Sequence, residues 1–179
     1  MKVFAWLCII FMPWAYIYAK PKCSLDFISS EKDILKSYAM IQKKTSSCDI
    51  KAEDYLAFTK RAFLAEQYAI AIWSSNEGIA QSIKDTETNI ELNYFLGISL
   101  IEKNRFEESI KTLKAIVFNS KWQSIEDDLV QRSHLALIDA YYKKNNTSDE
   151  NVKYLIRLFK NRYSSSSYLF TLRSWNANK

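Results

Sequence analysis

The chain has 179 residues and a formal net charge of +5, with only two glycines, two prolines and one histidine. Its length fits one domain or one short repeat array, and its 48% hydrophobic and 25% charged residues exclude a disordered or an all-membrane protein. Gly78 and Gly97 are too far apart to build the glycine-rich turns that hold phosphates or dinucleotides. With so few turn-forming residues, a mostly helical chain is predicted.

Residues 1–19 have the pattern of a secretory signal peptide. Lys2 provides a positive start, an apolar stretch interrupted by Pro13 follows, and the small Ala19 stands at the cleavage position. The stretch is shorter than the roughly 20 apolar residues that a membrane-spanning helix needs. We therefore predict a cleaved signal and a periplasmic or secreted protein. An uncleaved membrane anchor is the alternative, and only in that case is the protein expected at a membrane.

Two cysteines remain after cleavage, Cys23 and Cys48. An even number of cysteines in an exported chain predicts a disulfide between them, with two free thiols as the alternative. Two cysteines and the distant His134 do not form a four-ligand set for zinc. No metal or other cofactor is expected.

The apolar residues that follow Leu25 recur at three- and four-residue spacing, and no convincing strand pattern occurs. Residues 20–48 form an N-terminal segment with one helix, and residues 49–179 form a helical repeat domain. Thr147 and Glu150 fit a capping box at the start of the last long helix. The periodicity predicts helices over residues 26–44, 49–65, 68–84, 90–102, 106–118, 125–144 and 150–161, with a short apolar piece at 168–175.

Helix pairs in tandem suggest a repeat, and aligning Tyr68 with Phe106 gives an offset of 38 residues. The period of tetratricopeptide repeats is about 34 residues. Residues 90–121 resemble one such repeat, because their large and small residues fall where that family places its own. The matching residues are Leu96, Gly97, Leu100, Phe106, Ser109, Leu113 and Ile116.

The flanking units match this family less closely. Thr59 stands where the family has glycine, and Ser75 where it usually has an aromatic residue. The stretch 158–164 is similar to the end of repeats in periplasmic tetratricopeptide proteins of cell-envelope assembly or the Tol-Pal system, although it lacks their proline. The resemblance implies an all-α fold of antiparallel helical hairpins stacked as a short solenoid.

Residues able to perform catalysis are scarce. His134 is the only histidine, and Asp139 lies on a different face of the same predicted helix. Consecutive carboxylates are better explained by helical ion pairs, Glu107 with Lys111 and Asp128 with Arg132. We therefore expect no enzyme. The alternative is an exported helical hydrolase whose two carboxylates meet across a cleft in three dimensions.

The resemblance also implies a binding surface, because tetratricopeptide proteins hold protein or peptide partners on a concave face built by the first helix of each hairpin. We expect an adaptor that binds cell-envelope proteins there; alternatively, this face covers the N-terminal helix. Basic and acidic residues are interleaved, which favours solvated helix faces over a nucleic-acid footprint. The predicted partner-binding residues are Lys60, Phe63, Tyr94, Ile98, Ile101, Arg132, Asp139 and Tyr142.

Overall fold

A computed structural model describes residues 20–23, 31–119, 121, 128–145 and 149–172. The predicted signal peptide, residues 1–19, lies outside these ranges. The predicted all-α class is confirmed, and none of the described helices is long and apolar enough to cross a membrane. The helices are α1 (Ile34–Thr45), α2 (Ala52–Leu64), α3 (Tyr68–Gln81), α4 (Glu87–Glu102), α5 (Phe106–Val117), α6 (Asp128–Asn145) and α7 (Glu150–Arg162), followed by one helical turn at 169–172.

The N-terminal segment contains a short parallel bridge between β1 (Lys22–Cys23) and β2 (Asp49–Ile50). The sequence did not predict these strands, since two residues are too few to show an alternating pattern. The predicted disulfide is confirmed, as Cys23 and Cys48 are bonded with their Cα atoms 5.6 Å apart. The bridge and the disulfide together fix the chain just before and just after α1.

Two predicted helix starts are corrected by capping residues. The helix predicted from Asp26 begins only at Ile34, because the Asp33 side chain accepts hydrogen bonds from the backbone N–H groups of Leu35 and Lys36 at 2.9 and 3.3 Å. The start of α7 is capped by Asp149, which accepts from Asn151 N–H at 2.8 Å. Thr147, the predicted cap, lies outside the described residues.

From α2 onward, each helix packs against the next one in the chain. In addition, α2 contacts α4 and α4 contacts α6, so the first helices of three successive hairpins form one layer. The largest core cluster spans α4 to α7 and includes Leu113, Leu137, Ile138 and Phe159, all fully buried. Burial of large apolar side chains between successive helices therefore stabilises the row.

Helix α1 packs at the side of the first hairpin. Its Ile41 is fully buried in a cluster with Tyr55 and Phe58 of α2, and the Tyr38 ring meets the Trp73 ring of α3 edge-on at a centroid distance of 4.9 Å. Tyr94 belongs to a different cluster. The described part of the N-terminal segment therefore occupies the end of the helical row and not the layer of α2, α4 and α6.

The turns that close the first two hairpins are alike. Each has a non-glycine residue in the left-handed region, Glu66 with φ 58° and Asn104 with φ 57°. The positions are 38 residues apart, which is the offset found in the sequence. The same hydrogen bond of a Schellman motif closes both turns: Gln67 N–H donates to Ala62 O, and Arg105 N–H to Leu100 O, each at 2.9 Å.

Both glycines lie where helices approach each other closely. A Cβ at Gly97 would come within 2.6 Å of the Leu113 side chain, and a Cβ at Gly78 within 2.8 Å of Tyr55 and 2.9 Å of Leu92. Neither glycine has a positive φ. Their small size is therefore required for packing, and Gly97 in particular lets α4 and α5 meet.

Candidate functional site

Helices α2, α4 and α6 place most of the predicted partner-binding residues on one exposed layer. These side chains are partly exposed, and Tyr142 has 42% of its surface accessible. Helical spacing aligns them, since Ile98 lies one turn after Tyr94 and Asp139 lies two turns after Arg132. We call this surface the α2–α4–α6 face, defined by Lys60, Phe63, Tyr94, Ile98, Arg132, Asp139 and Tyr142.

Ile101 is the exception, and its assignment to a binding surface is wrong. Only 3% of the residue is exposed, and it belongs to the core cluster that joins α4 to α7. Helix α4 is packed by neighbours on several sides, so it is apolar around most of its circumference. Ile101 lies only three positions after Ile98, yet it points into the core.

A path of aromatic contacts crosses the face from α2 to α6. The Phe63 ring lies edge-on to Phe95 at 5.7 Å, and Phe95 lies edge-on to Tyr94 at 5.4 Å. The Arg132 guanidinium of α6 then lies 5.3 Å from the centre of the Tyr94 ring. Sequence reasoning missed Phe95 as a member of the face, because its place in an apolar run indicated the core. Its position next to Tyr94 was the only available signal.

Ion pairs hold the charged members of the face in place. Lys60 Nζ lies 2.8 Å from Glu91 of α4, and Arg132 Nε lies 2.7 Å from Asp128, as the sequence predicted for that pair. Near the other end of α6, Lys143 bridges Asp139 at 3.1 Å and Glu102 of α4 at 3.4 Å. Such exposed pairs contribute little stability, but they orient the side chains across neighbouring helices.

A shallow cavity of about 250 Å³ opens between α4 and α6 on this face. Tyr94 and Arg132 form one part of its lining, and Asp139 contributes a carboxylate two helical turns along α6. The predicted residues Tyr94, Arg132 and Asp139 are therefore brought together. Leu135 and Ala136 complete the lining and were not predicted. Within the described residues, Tyr142 makes no ring or polar contact with the other members.

The local electrostatics agree with a partly buried, paired surface. Burial raises the pKa of Tyr94, and the positive charge of Arg132 opposes that rise. Burial alone would lower the pKa of Lys143, but its hydrogen bond to Asp139 and the nearby Glu102 charge leave that pKa raised. Tyr94 is therefore neutral and Lys143 positive near pH 7. This arrangement can bind a mixed apolar and charged segment, but it offers no group poised for proton transfer.

His134 is a buried structural residue. It is fully buried between α6 and α7, its Nε2 donates to Leu155 O at 3.1 Å, and its ring lies edge-on to Phe159 at 5.2 Å. Burial and the charge of Arg162 lower its pKa to about 4. Nδ1 has no partner within the described residues. The imidazole is therefore neutral near pH 7 and sealed from any substrate.

We expect the buried imidazole to make stability depend on pH. The unfolded chain binds a proton below pH 6.5, whereas folded His134 resists protonation until about pH 4, so stability is lost as pH falls through this window. Lowering the pH from 7 to 5 should reduce the free energy of unfolding by about 2 kcal/mol, measured by urea titration. His134→Phe should remove most of this loss. An equal loss in His134→Phe would show that other groups cause it.

The described carboxylates do not form a catalytic or metal-binding cluster. Glu107, predicted to pair with Lys111, instead meets Lys144 of α6 at 2.6 Å, because packing of α5 against α6 brings that lysine closer. No group of three histidine, cysteine, aspartate or glutamate residues in the described ranges has the arrangement of a metal site. The α2–α4–α6 face is thus the strongest candidate for function.

Comparison with known proteins gave no match to a family model, to a curated protein or to a solved structure.

Proposed function

We propose that this chain is an exported, non-catalytic adaptor of the tetratricopeptide type that binds protein or peptide partners in the cell envelope on its α2–α4–α6 face. The observation that carries the proposal is the layer of α2, α4 and α6 with its partly exposed aromatic path from Phe63 to Arg132. A repeated layer of first helices is the surface that such solenoids use for binding.

Two features support a repeat of the tetratricopeptide type. The turns at Glu66 and Asn104 have the same backbone conformation and lie one sequence offset apart. The close contact of Gly97 with Leu113 lies at the point where that family brings the two helices of a hairpin together. The chain is therefore proposed to be a short solenoid of stacked antiparallel hairpins.

The composition of the face supports a protein partner. Tyrosine, phenylalanine and arginine are the residues that contribute most to protein interfaces, and they do so from partly buried positions. Tyr94 and Arg132 meet at the margin of the cavity between α4 and α6. Because α1 packs at the end of the row, the described N-terminal residues leave this surface accessible.

The compartment follows from the disulfide. A bond between Cys23 and Cys48 fits an oxidising environment, which agrees with the proposed export to the periplasm or the exterior. Whether residues 1–19 are removed is tested by the mass of the protein isolated from its native source. Loss of the first 19 residues supports the signal peptide, whereas the intact mass supports the anchored alternative.

Crosslinking and pull-down from the native envelope test the proposed function. We expect Tyr94→Ala and Tyr142→Ala each to weaken capture of the partners by about tenfold, the effect of losing an interface tyrosine worth roughly 1.4 kcal/mol. Tyr154→Ala is the matched control, because Tyr154 is 52% exposed but lies on α7 outside the face. Equal capture by all three variants would contradict the assignment of the face.

A further inference from the structure

A second groove runs along the opposite side of α4, between the second helices of the first two hairpins. Helices α3 and α5 form its walls and α4 its floor, and α3 makes no extensive contact with α5. Two cavities of about 380 and 420 Å³ lie along it and share Asn93 and Ala115 in their linings. The groove is therefore continuous, and each cavity falls in the size range of binding pockets, about 300–1,000 Å³.

The floor and walls combine apolar surface with carboxamides. Ile72 and Leu96 lie at the bottom of one cavity, and Ile79 lines the other. Asn93 uses its Nδ2 to donate to Asn89 O at 2.8 Å, which leaves its Oδ1 without a donor among the described residues. Asn76 on the α3 wall is exposed, and its side chain has no hydrogen-bond partner in the described ranges.

Carboxamides in such a position favour an extended peptide as the occupant. A carboxamide can donate and accept at once, so it matches the N–H and C=O groups of a peptide backbone. A helix satisfies those groups internally, whereas an extended segment presents them to a groove. Alternate side chains of an extended segment point the same way and would enter successive cavities.

The charges and the end of the groove narrow the chemistry of the partner. Arg105 is neutralised by Glu108 at 2.6 Å, but Lys84 and Lys111 have no ion pair among the described residues. The groove therefore has an excess of positive charge at its margin. Near Lys84, the exposed Ile83 and Phe118 extend the apolar surface, with 77% and 38% of their area accessible.

We propose that the α3–α5 groove is a second interaction surface, which binds an extended acidic peptide segment of a partner protein with apolar side chains at alternate positions. The carboxamides of Asn76 and Asn93 pair with its backbone, the two cavities take its apolar side chains, and Lys84 and Lys111 attract its carboxylates. This surface is separate from the α2–α4–α6 face, so an adaptor of this kind holds two partners at once.

A random dodecapeptide library displayed on phage, selected on the immobilised full chain, tests this proposal. We expect enrichment of peptides with alternate apolar residues and at least one aspartate or glutamate. Binding of an enriched, fluorescein-labelled peptide is then measured by anisotropy. Lys111→Glu, which reverses the charge at the margin, and Ala115→Trp, which fills the junction of the two cavities, should each weaken it at least tenfold.

Two controls make the outcome specific. Lys160→Glu makes the same charge change on the exposed surface of α7, and Tyr94→Ala removes a residue of the α2–α4–α6 face; neither should change the affinity more than twofold. Lys111 is exposed, so its variant tests the groove even where Ala115→Trp loses helicity. The proposal is overturned by failure to enrich any peptide, by binding that ignores both groove variants, or by binding lost only in Tyr94→Ala.

Discussion

Replacing Cys23 and Cys48 together by serine is expected to lower the free energy of unfolding by about 3 kcal/mol, because the disulfide closes a loop with a sequence separation of 25 residues. The bond restricts the unfolded chain, and it also anchors α1 beside the first hairpin. Urea unfolding followed by circular dichroism measures the change.

The doubly substituted protein should behave like the reduced native protein. In both, amide hydrogens of α1 are expected to exchange faster, since its packing then depends on Ile41 and Tyr38 alone. Reduction of the double variant is the matched control and should change nothing. A loss below about 0.5 kcal/mol would mean that the segment around β1 and β2 is not part of the cooperative fold.

Introducing a side chain at Gly97 should be almost as damaging as losing the disulfide. Gly97→Val places carbon atoms where the fully buried Leu113 already lies, and overpacking of this kind costs about 3 kcal/mol. Thermal and urea unfolding measure the effect. Ala80→Val, on the exposed side of α3, is the matched control and should change stability by less than about 0.7 kcal/mol.

A double-mutant cycle assigns the damage to one contact. Leu113→Ala alone should lower the free energy of unfolding by about 3 kcal/mol through a cavity. Combined with Gly97→Val, the total loss should be smaller than the sum by at least about 1 kcal/mol, because the new side chain occupies the space that leucine leaves. Simple additivity would contradict the close contact between α4 and α5.

The departures of the first hairpin from the repeat pattern illustrate what sequence reasoning could not weigh. Thr59 occupies the position equivalent to Gly97, and Ser75 the position equivalent to Leu113, each 38 residues earlier. Both are fully buried, and Thr59 is hydrogen-bonded to Ser74 at 2.8 Å. A larger residue on the first helix is therefore matched by a smaller one on the second. Volume compensation across a hairpin becomes visible only when the two positions are seen to lie together.

Helical periodicity was sufficient to predict the α2 to α7 series, because each of these helices buries a regular apolar stripe. The start of α1 was missed because Asp33, a local cap, outweighs the apolar pattern that precedes it. The residues of the face that lie one or two turns apart were found, whereas Phe95 and Ile101 were misassigned. Their exposure depends on how many helices surround α4, and a single amphipathic pattern carries no information about that.

The α3–α5 groove was not predicted for a related reason. Its lining comes from three helices, and Asn76, Asn93 and Ala115 have no shared spacing in the chain. Each is an ordinary polar or small residue on its own helix. Their chemistry becomes meaningful only once α3 and α5 are placed on either side of α4.

The central claim is that the α2–α4–α6 face holds a protein partner. Site-specific photocrosslinking tests it most directly, with a benzophenone amino acid placed at Ile98 in the full chain and, as the control, at Tyr154 on α7, both in the native compartment. We expect a discrete crosslinked partner from Ile98 and none from Tyr154. Crosslinking from Tyr154 with none from Ile98 would contradict the proposed binding face.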